Sequence, residues 1–220
     1  MGNGPSLTLE LINQIKRRTF FSFAVNGFCL IFNKTNFRPS AVCMSNYNAI
    51  QIYGRFYPSS VLKFFKSGWQ EKVSNSHFYR SVFDLPFTCN HDQEYHEAPF
   101  IKDGNFTLDP LKENFCGDTV ILDFAIPIAF YMGFREIILC GTDTDYSNGY
   151  FDKNYIKQKN TGKREFKSMH NSDYSIAVSG YRYVKKFIES KGRNIYKLTK
   201  SNRLNFIETI NFDDILTETD

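Results

Sequence analysis

Short apolar runs that alternate with amphipathic stretches predict an α/β fold for this chain. The expected form is a single Rossmann-like domain over residues 1–220, with a mostly parallel sheet and helices on both faces. Two further features point the same way. A glycine-rich turn, Gly2-Asn3-Gly4-Pro5-Ser6-Leu7, opens directly into a helical pattern. Polar residues also recur at the carboxyl ends of the expected strands, where open α/β sheets bind ligands. At 220 residues the chain is long enough for one compact domain with a substantial core.

Leu7, Leu11, Ile12 and Ile15 share one face of a helix over 7–18, and Pro5 suits its first turn. A strand over 20–26 ends in Asn26-Gly27, and a second over 41–45 ends in Ser45-Asn46. Residues 47–56 fit either a helix or a strand. A helix is expected over 59–65 and a short strand over 78–83. Residues 86–115 combine turn formers and charged clusters with little periodicity, and read as a loop or small insertion. The run 119–132 carries Val120, Leu122, Phe124, Ala125, Ile128 and Ala129 and reads as a buried helix in spite of Pro127, closed by Gly133. Residues 136–140 form the clearest core strand, ending at Gly141-Thr142-Asp143. The stretch 147–167 is polar and rich in Lys, Asn and Gly, as expected of a flexible lid. An amphipathic helix over 174–190, a strand over 194–198 and a short terminal helix over 213–216 complete the pattern.

The 27 Lys and Arg against 23 Asp and Glu leave a net charge of +4, too mild for a dedicated nucleic-acid binder. An anionic small substrate or an anionic membrane surface is compatible with it. Cys29, Cys43, Cys89, Cys116 and Cys140 form an odd set with no CxxC pair, so they read as reduced core residues rather than a disulfide framework or zinc site. The absence of a membrane-length apolar run and of a signal-peptide pattern leads us to expect a cytoplasmic protein.

Glycine lets backbone approach a ligand closely, and helix-start amides offer positive partial charge to a phosphate, so residues 2–6 are candidates for phosphate binding. Asn26, Ser45 with Asn46, and Asp143 with Asp145 and Tyr146 stand at carboxyl strand ends; each is also an ordinary turn former. Four histidines are present. His77, His91 and His96 lie in the irregular middle, where a surface or acceptor-site role is open. The His91 and His96 spacing with Asp92, Glu94 and Glu97 lacks matching metal ligands elsewhere. His170 precedes a helix, and histidine is the side chain whose unperturbed pKa best suits a general base near neutrality. Asp143-Thr144-Asp145 also resembles the Asp-x-Asp motif of metal-dependent glycosyltransferases, where two carboxylates hold Mg or Mn against a diphosphate.

Taken in order, GNGPSL at 2–7, the strand ends at Asn26 and Asn46, GDTVILDFAIPIAFYMGFREIILCGTDTDY at 117–146, and His170 before a helix resemble the bacterial sialyltransferases of glycosyltransferase family 42. The wider relatives include the 6-hydroxymethylpterin diphosphokinase-like domains. The resemblance implies a metal-independent transfer of a sialic acid-like sugar from a cytidine-monophosphate-activated donor to a glycan or glycolipid acceptor, in lipopolysaccharide or capsule synthesis at the inner face of the membrane. It further implies that Gly2, Asn3, Gly4 and Ser6 cradle the donor phosphate, with Asn26, Gly27, Asn46 and Thr119 around the nucleotide. Gly141 and Asp143 would meet the ribose or base. Tyr146, with Tyr150 or Tyr155 from the lid, would assist the leaving group, and His170 would be the base. Two alternatives stay open: a pterin diphosphokinase-like transferase using ATP and magnesium at Asp143 and Asp145, and a non-catalytic nucleotide-binding domain.

The strand that normally precedes such a glycine turn is central and paired on both edges. Its first strand is missing from the sequence, which predicts a gap between neighbouring strands and a natural start roughly five to ten residues upstream, in a Val/Ile-rich strand.

Overall fold

The computed structural model describes residues 1–17, 20–45, 47–66, 82–85, 108–110, 119–144, 151, 175–212 and 215. The α/β expectation holds, and among the described residues every ladder is parallel. Strands β1 (Phe23–Val25), β2 (Ala41–Met44), β3 (Leu62–Lys66) and β4 (Val82–Leu85) pair in that order. Strands β5 (Glu136–Leu139) and β6 (Asn194–Lys197) form a second pair.

Alternate side chains along a strand point to opposite faces, and the core divides accordingly. Val25, Ala41, Cys43, Ile137 and Leu139 face one apolar cluster; Ala24 and Cys140 face another, and Val42 and Met44 a third. The first cluster is covered by α3 (Ile126–Tyr131) and α4 (Ser175–Ser190), the second by α1 (Leu9–Lys16) and the third by α2 (Tyr47–Tyr53). Helices therefore lie on both faces. In α4, Ala177, Tyr181, Val184 and Ile188 recur at helical spacing and are buried.

Local chemistry explains where the elements start and stop. The first helix begins two residues later than expected because Thr8 caps it, its Oγ1 accepting from Leu11 N at 3.1 Å. The strand expected over 20–26 shrinks to Phe23–Val25, since Asn26 enters the left-handed region at φ 45° and leads into a 3-10 helix, Asn26–Ile31. Residues 47–56 resolve into α2 and a 3-10 turn, Gly54–Phe56.

The helix expected over 59–65 is instead β3. Pairing with β2, from Ala41 opposite Leu62 to Met44 opposite Phe65, overrides an apolar run too short to declare its own period. Lys63 is buried there because its Nζ donates to Pro58 O and Val61 O, 3.0 and 3.2 Å away. The strand expected over 78–83 corresponds to β4, with 78–81 outside the described residues.

The helix expected over 119–132 is broken in character. Pro127 has no N–H to offer, and Ile126 N bonds five residues back to Ile121 O, giving a π-helical turn, Ile121–Ala125, before α3. Gly133 ends α3 as expected, at φ 91°, with Gly133 N donating to Phe130 O and Phe134 N to Ala129 O. Of the stretches read as insertion, lid and terminal helix, residues 108–110, 151 and 215 are described.

Residues 1–4 run between the two sheets. Met1 N donates to Phe23 O at 2.7 Å, Gly2 N to Cys140 O at 2.8 Å and Gly4 N to Gly141 O at 2.9 Å, while Asn3 Nδ2 reaches Val25 O at 3.1 Å. Three backbone amines or amides and one side-chain amide thus tie this segment to β1 and to the end of β5. Next to them a cavity of about 330 Å³ opens between the edges of β1 and β5.

Candidate functional site

Two glycines build the centre of the site by letting two backbones touch. Gly141, at φ 64°, sits where a Cβ would come within 2.8 Å of Leu7 Cβ and 2.9 Å of Gly2 O. A Cβ on Gly2 would in turn overlap the Gly141 carbonyl oxygen and lie 3.1 Å from Ile121 Cδ1. The turn is thus pressed against both the end of β5 and the start of the π-helical turn. Thr119 caps that turn, its Oγ1 accepting from Leu122 N at 3.2 Å.

Asp143 follows directly. One carboxylate oxygen accepts from Ser6 N at 3.3 Å and occupies the space a Cβ on Gly4 would need. Three amides of the glycine turn are therefore bonded within the protein, Gly2 to Cys140 O, Gly4 to Gly141 O and Ser6 to Asp143. Thr199 and Ser201 brace this strand end, Thr199 Oγ1 accepting from Gly141 N at 3.2 Å and Ser201 Oγ donating to Asp143 O at 3.1 Å.

Around the turn, Asn3 Oδ1, Ser6 Oγ and Asn26 Oδ1 are buried and have no hydrogen-bond partner among the described residues. Such groups are costly unless a ligand or water meets them. Asn3 and Asn26 adjoin, because Asn3 Nδ2 bonds the carbonyl immediately before Asn26. Asn26 is held in its left-handed conformation by Tyr57, whose hydroxyl donates to Asn26 O at 2.7 Å and accepts from Cys29 N at 3.1 Å. Phe151 N donates to Asn3 O at 3.0 Å, with its ring centroid 6.0 Å from that of Phe28.

The cysteines nearby are packing residues. Burial pushes the Cys29 thiol up to about 12 and raises Cys43 and Cys140. All three are free and buried, as the sequence led us to expect of them. Among the described residues no group of three His, Cys, Asp or Glu gathers to hold a metal ion, and no helix is long and apolar enough to cross a membrane.

The structure therefore brings together Gly2, Asn3, Gly4, Ser6, Asn26, Gly141 and Asp143, with Gly27 buried beside Asn26 and Thr119 capping the helix next to Gly2. Asn46, Asp145, Tyr146, Tyr150, Tyr155 and His170 lie outside the described residues, as do His77, His91 and His96. Tyr57, Thr199 and Ser201 were not anticipated. Thr199 and Ser201 follow β6 at its carboxyl end, so the rule that found Asn26 and Asp143 would have found them too.

This arrangement defines a parallel α/β protein whose buried polar groups converge at the carboxyl ends of its strands, around a glycine-rich turn. Within that class the family is set by sequence. The family described as 6-hydroxymethylpterin diphosphokinase MptE-like matches residues 1–149, which include the turn, β1 to β5 and Asp143, and the chain belongs to it. That family is named for a transferase-type enzyme. No curated protein and no solved structure matches the chain. The wider relatives inferred from the motifs are thus the ones shown, and the sialyltransferase likeness rests on the motifs alone.

Proposed function

We propose that the protein is a nucleotide-dependent transferase that takes an acidic, sialic acid-like sugar from a cytidine-monophosphate-activated donor and passes it to a glycan or glycolipid hydroxyl. The observation that carries this reading is the set of buried, unpartnered atoms at Asn3, Ser6 and Asn26. The two amide oxygens are acceptors, and a nucleoside presents donors to match them in its base amine and ribose hydroxyls. The amides of Gly2, Gly4 and Ser6 are already bonded within the protein, which suits a donor carrying one phosphate better than a triphosphate that needs an amide cradle. In this reading Gly27, Asn46, Thr119, Gly141 and Asp143 complete the nucleotide pocket. His170 is the base, and Tyr146 with Tyr150 or Tyr155 stabilises the departing phosphate without a metal.

The family description favours a second reading, a diphosphokinase-like transfer from ATP, with magnesium at Asp143 and Asp145. A thermal-shift screen with cytidine monophosphate, cytidine diphosphate, uridine diphosphate and ATP, each with and without magnesium, separates the two. The first reading expects stabilisation by cytidine monophosphate independent of magnesium, with His170→Ala lowering turnover by about two to four orders of magnitude at nearly unchanged nucleotide binding. Stabilisation by ATP and magnesium alone would transfer the assignment to the diphosphokinase-like reaction. Nucleotide binding without turnover of any donor would make it a binding domain.

A further inference from the structure

The three bonded amides of the glycine turn are not held alike. Gly2 N and Gly4 N bond to backbone carbonyls, of Cys140 and Gly141, at 2.8 and 2.9 Å. Ser6 N bonds to a side chain, the Asp143 carboxylate, at the longer distance of 3.3 Å. A carbonyl leaves only if its strand moves, whereas a carboxylate leaves by rotation about its own side-chain bonds. The same carboxylate oxygen lies over Gly4, in the space a Cβ there would fill. Asp143 therefore stands as an anion on a glycine-rich turn, the place where such turns offer an N–H to a phosphoryl oxygen.

The backbone that carries this side chain is fixed. Asp143 O accepts from Ser201 Oγ at 3.1 Å and from Thr144 Oγ1 at 2.7 Å. Thr144 is buried at φ 52°, a left-handed conformation that a β-branched residue keeps only where its surroundings impose it. Ser6, facing the carboxylate, has a second donor in reserve. Its Oγ is buried and has no hydrogen-bond partner among the described residues. The carboxylate uses the amide of Ser6 alone, while a phosphoryl group carries enough oxygens to engage amide and hydroxyl together.

We propose that Ser6 is a subsite for a single phosphoryl group and that the Asp143 carboxylate is its resident competitor. The group enters by taking Ser6 N from Asp143, whose half-buried side chain swings out toward solvent. Because Gly2 N and Gly4 N stay with their carbonyls, one amide of the three is exchangeable, and the subsite fits one phosphoryl group rather than a run of them. This deepens the proposed function and rests on its reading of the pocket as one that holds a phosphate-bearing ligand.

The test is isothermal titration of inorganic phosphate, with no nucleotide or sugar present, into the 220-residue chain, Asp143→Asn, Asp143→Ala and the Gly4→Ala/Asp143→Ala double variant. Asp143→Asn keeps the shape of the side chain and removes its charge, so phosphate affinity is expected to rise about tenfold, the worth of one charge-assisted hydrogen bond no longer contested. Asp143→Ala should give the same rise. In the double variant the methyl added at position 4 takes the space the carboxylate oxygen left and should cancel the rise. Phosphate binding no tighter in the single variants than in the parent would overturn the proposal, and so would a rise that persists in the double variant. If the double variant fails to fold, the single variants decide. With no donor present, the outcome is separate from that of the sugar-transfer reading: a chain that turns over no cytidine-monophosphate sugar still shows the rise if the subsite is as proposed, and an active transferase without the rise loses the subsite alone.

Discussion

Replacing Gly2 by alanine tests whether the turn is held by contact of backbone on backbone. The added methyl would overlap the carbonyl oxygen of Gly141, sit 2.9 Å from its carbon and press on Ile121 Cδ1 at 3.1 Å. No side-chain rotation relieves a clash with backbone, so the turn and the end of β5 must separate. That separation weakens the bonds from Gly2 N to Cys140 O and from Gly4 N to Gly141 O. Overpacking of this kind costs about 1–3 kcal/mol and each weakened hydrogen bond about 1 kcal/mol, so a loss of about 3 kcal/mol is expected. For a chain of this size that is a fall in Tm of roughly 6–12 °C. Gly4→Ala differs in degree, because its methyl meets first the Asp143 carboxylate, which can swing away by giving up Ser6 N, and then the Gly141 carbonyl oxygen at 2.8 Å, which cannot. Its cost is therefore about 2 kcal/mol, and Asp143→Ala, which removes the same bond, should make Gly4→Ala about 1 kcal/mol cheaper. Urea denaturation followed by far-UV circular dichroism measures the parent, the three single variants and the Gly4→Ala/Asp143→Ala double variant. A Gly2→Ala protein within about 0.5 kcal/mol of the parent, or strict additivity of Gly4→Ala and Asp143→Ala, would refute the reasoning.

Two further outcomes follow from the same region. With its thiol pushed up from 9.0 to about 12, Cys29 forms about a thousandfold less thiolate than an ordinary cysteine below pH 9, and Cys43 and Cys140 are shifted the same way. Iodoacetamide at pH 8 should therefore leave these three unmodified in the folded protein and alkylate them in urea, and mass spectrometry showing rapid native labelling would contradict their burial. At Asn26, glycine accepts the φ of 45° and alanine does not, so Asn26→Ala should be about 1 kcal/mol less stable than Asn26→Gly. Both lose the unpartnered amide oxygen, so under the proposed function both should lose about tenfold in nucleotide affinity, and unchanged affinity in either would remove Asn26 from the proposed pocket.

The parts of the fold legible in the sequence were those with a strong local signal. The core strand at Glu136–Leu139, the helix at Ser175–Ser190 and the stop at Gly133 each carry their cause in adjacent residues. The strand Leu62–Lys66 was not legible, because a buried lysine at position 63 looks like a solvent position until two carbonyls are placed around its Nζ. The site shows the same division. Polar residues at strand ends pointed to Asn26 and Asp143, but glycine was read at residues 2 and 4 as a source of backbone freedom and an anion cradle. The structure needs those glycines for close approach, with Asp143 lying against Gly4 and bonded to Ser6. That contact joins residues 137 apart in the chain, a distance over which no spacing rule operates.

The Tyr57 hydroxyl has one proton, and the bond to Asn26 O uses it, so that the bond from Cys29 N is accepted by a lone pair. Position 57 is thereby tied to a residue 31 places earlier in the chain, across the connection that follows α2. Any lineage that keeps the left-handed asparagine has reason to keep the tyrosine, and one that drifts to phenylalanine at 57 gains reason to exchange Asn26 for glycine. The pair should therefore change together among natural variants. The loop between α2 and β3 would then evolve at the pace of the pocket rather than at the pace of a surface loop.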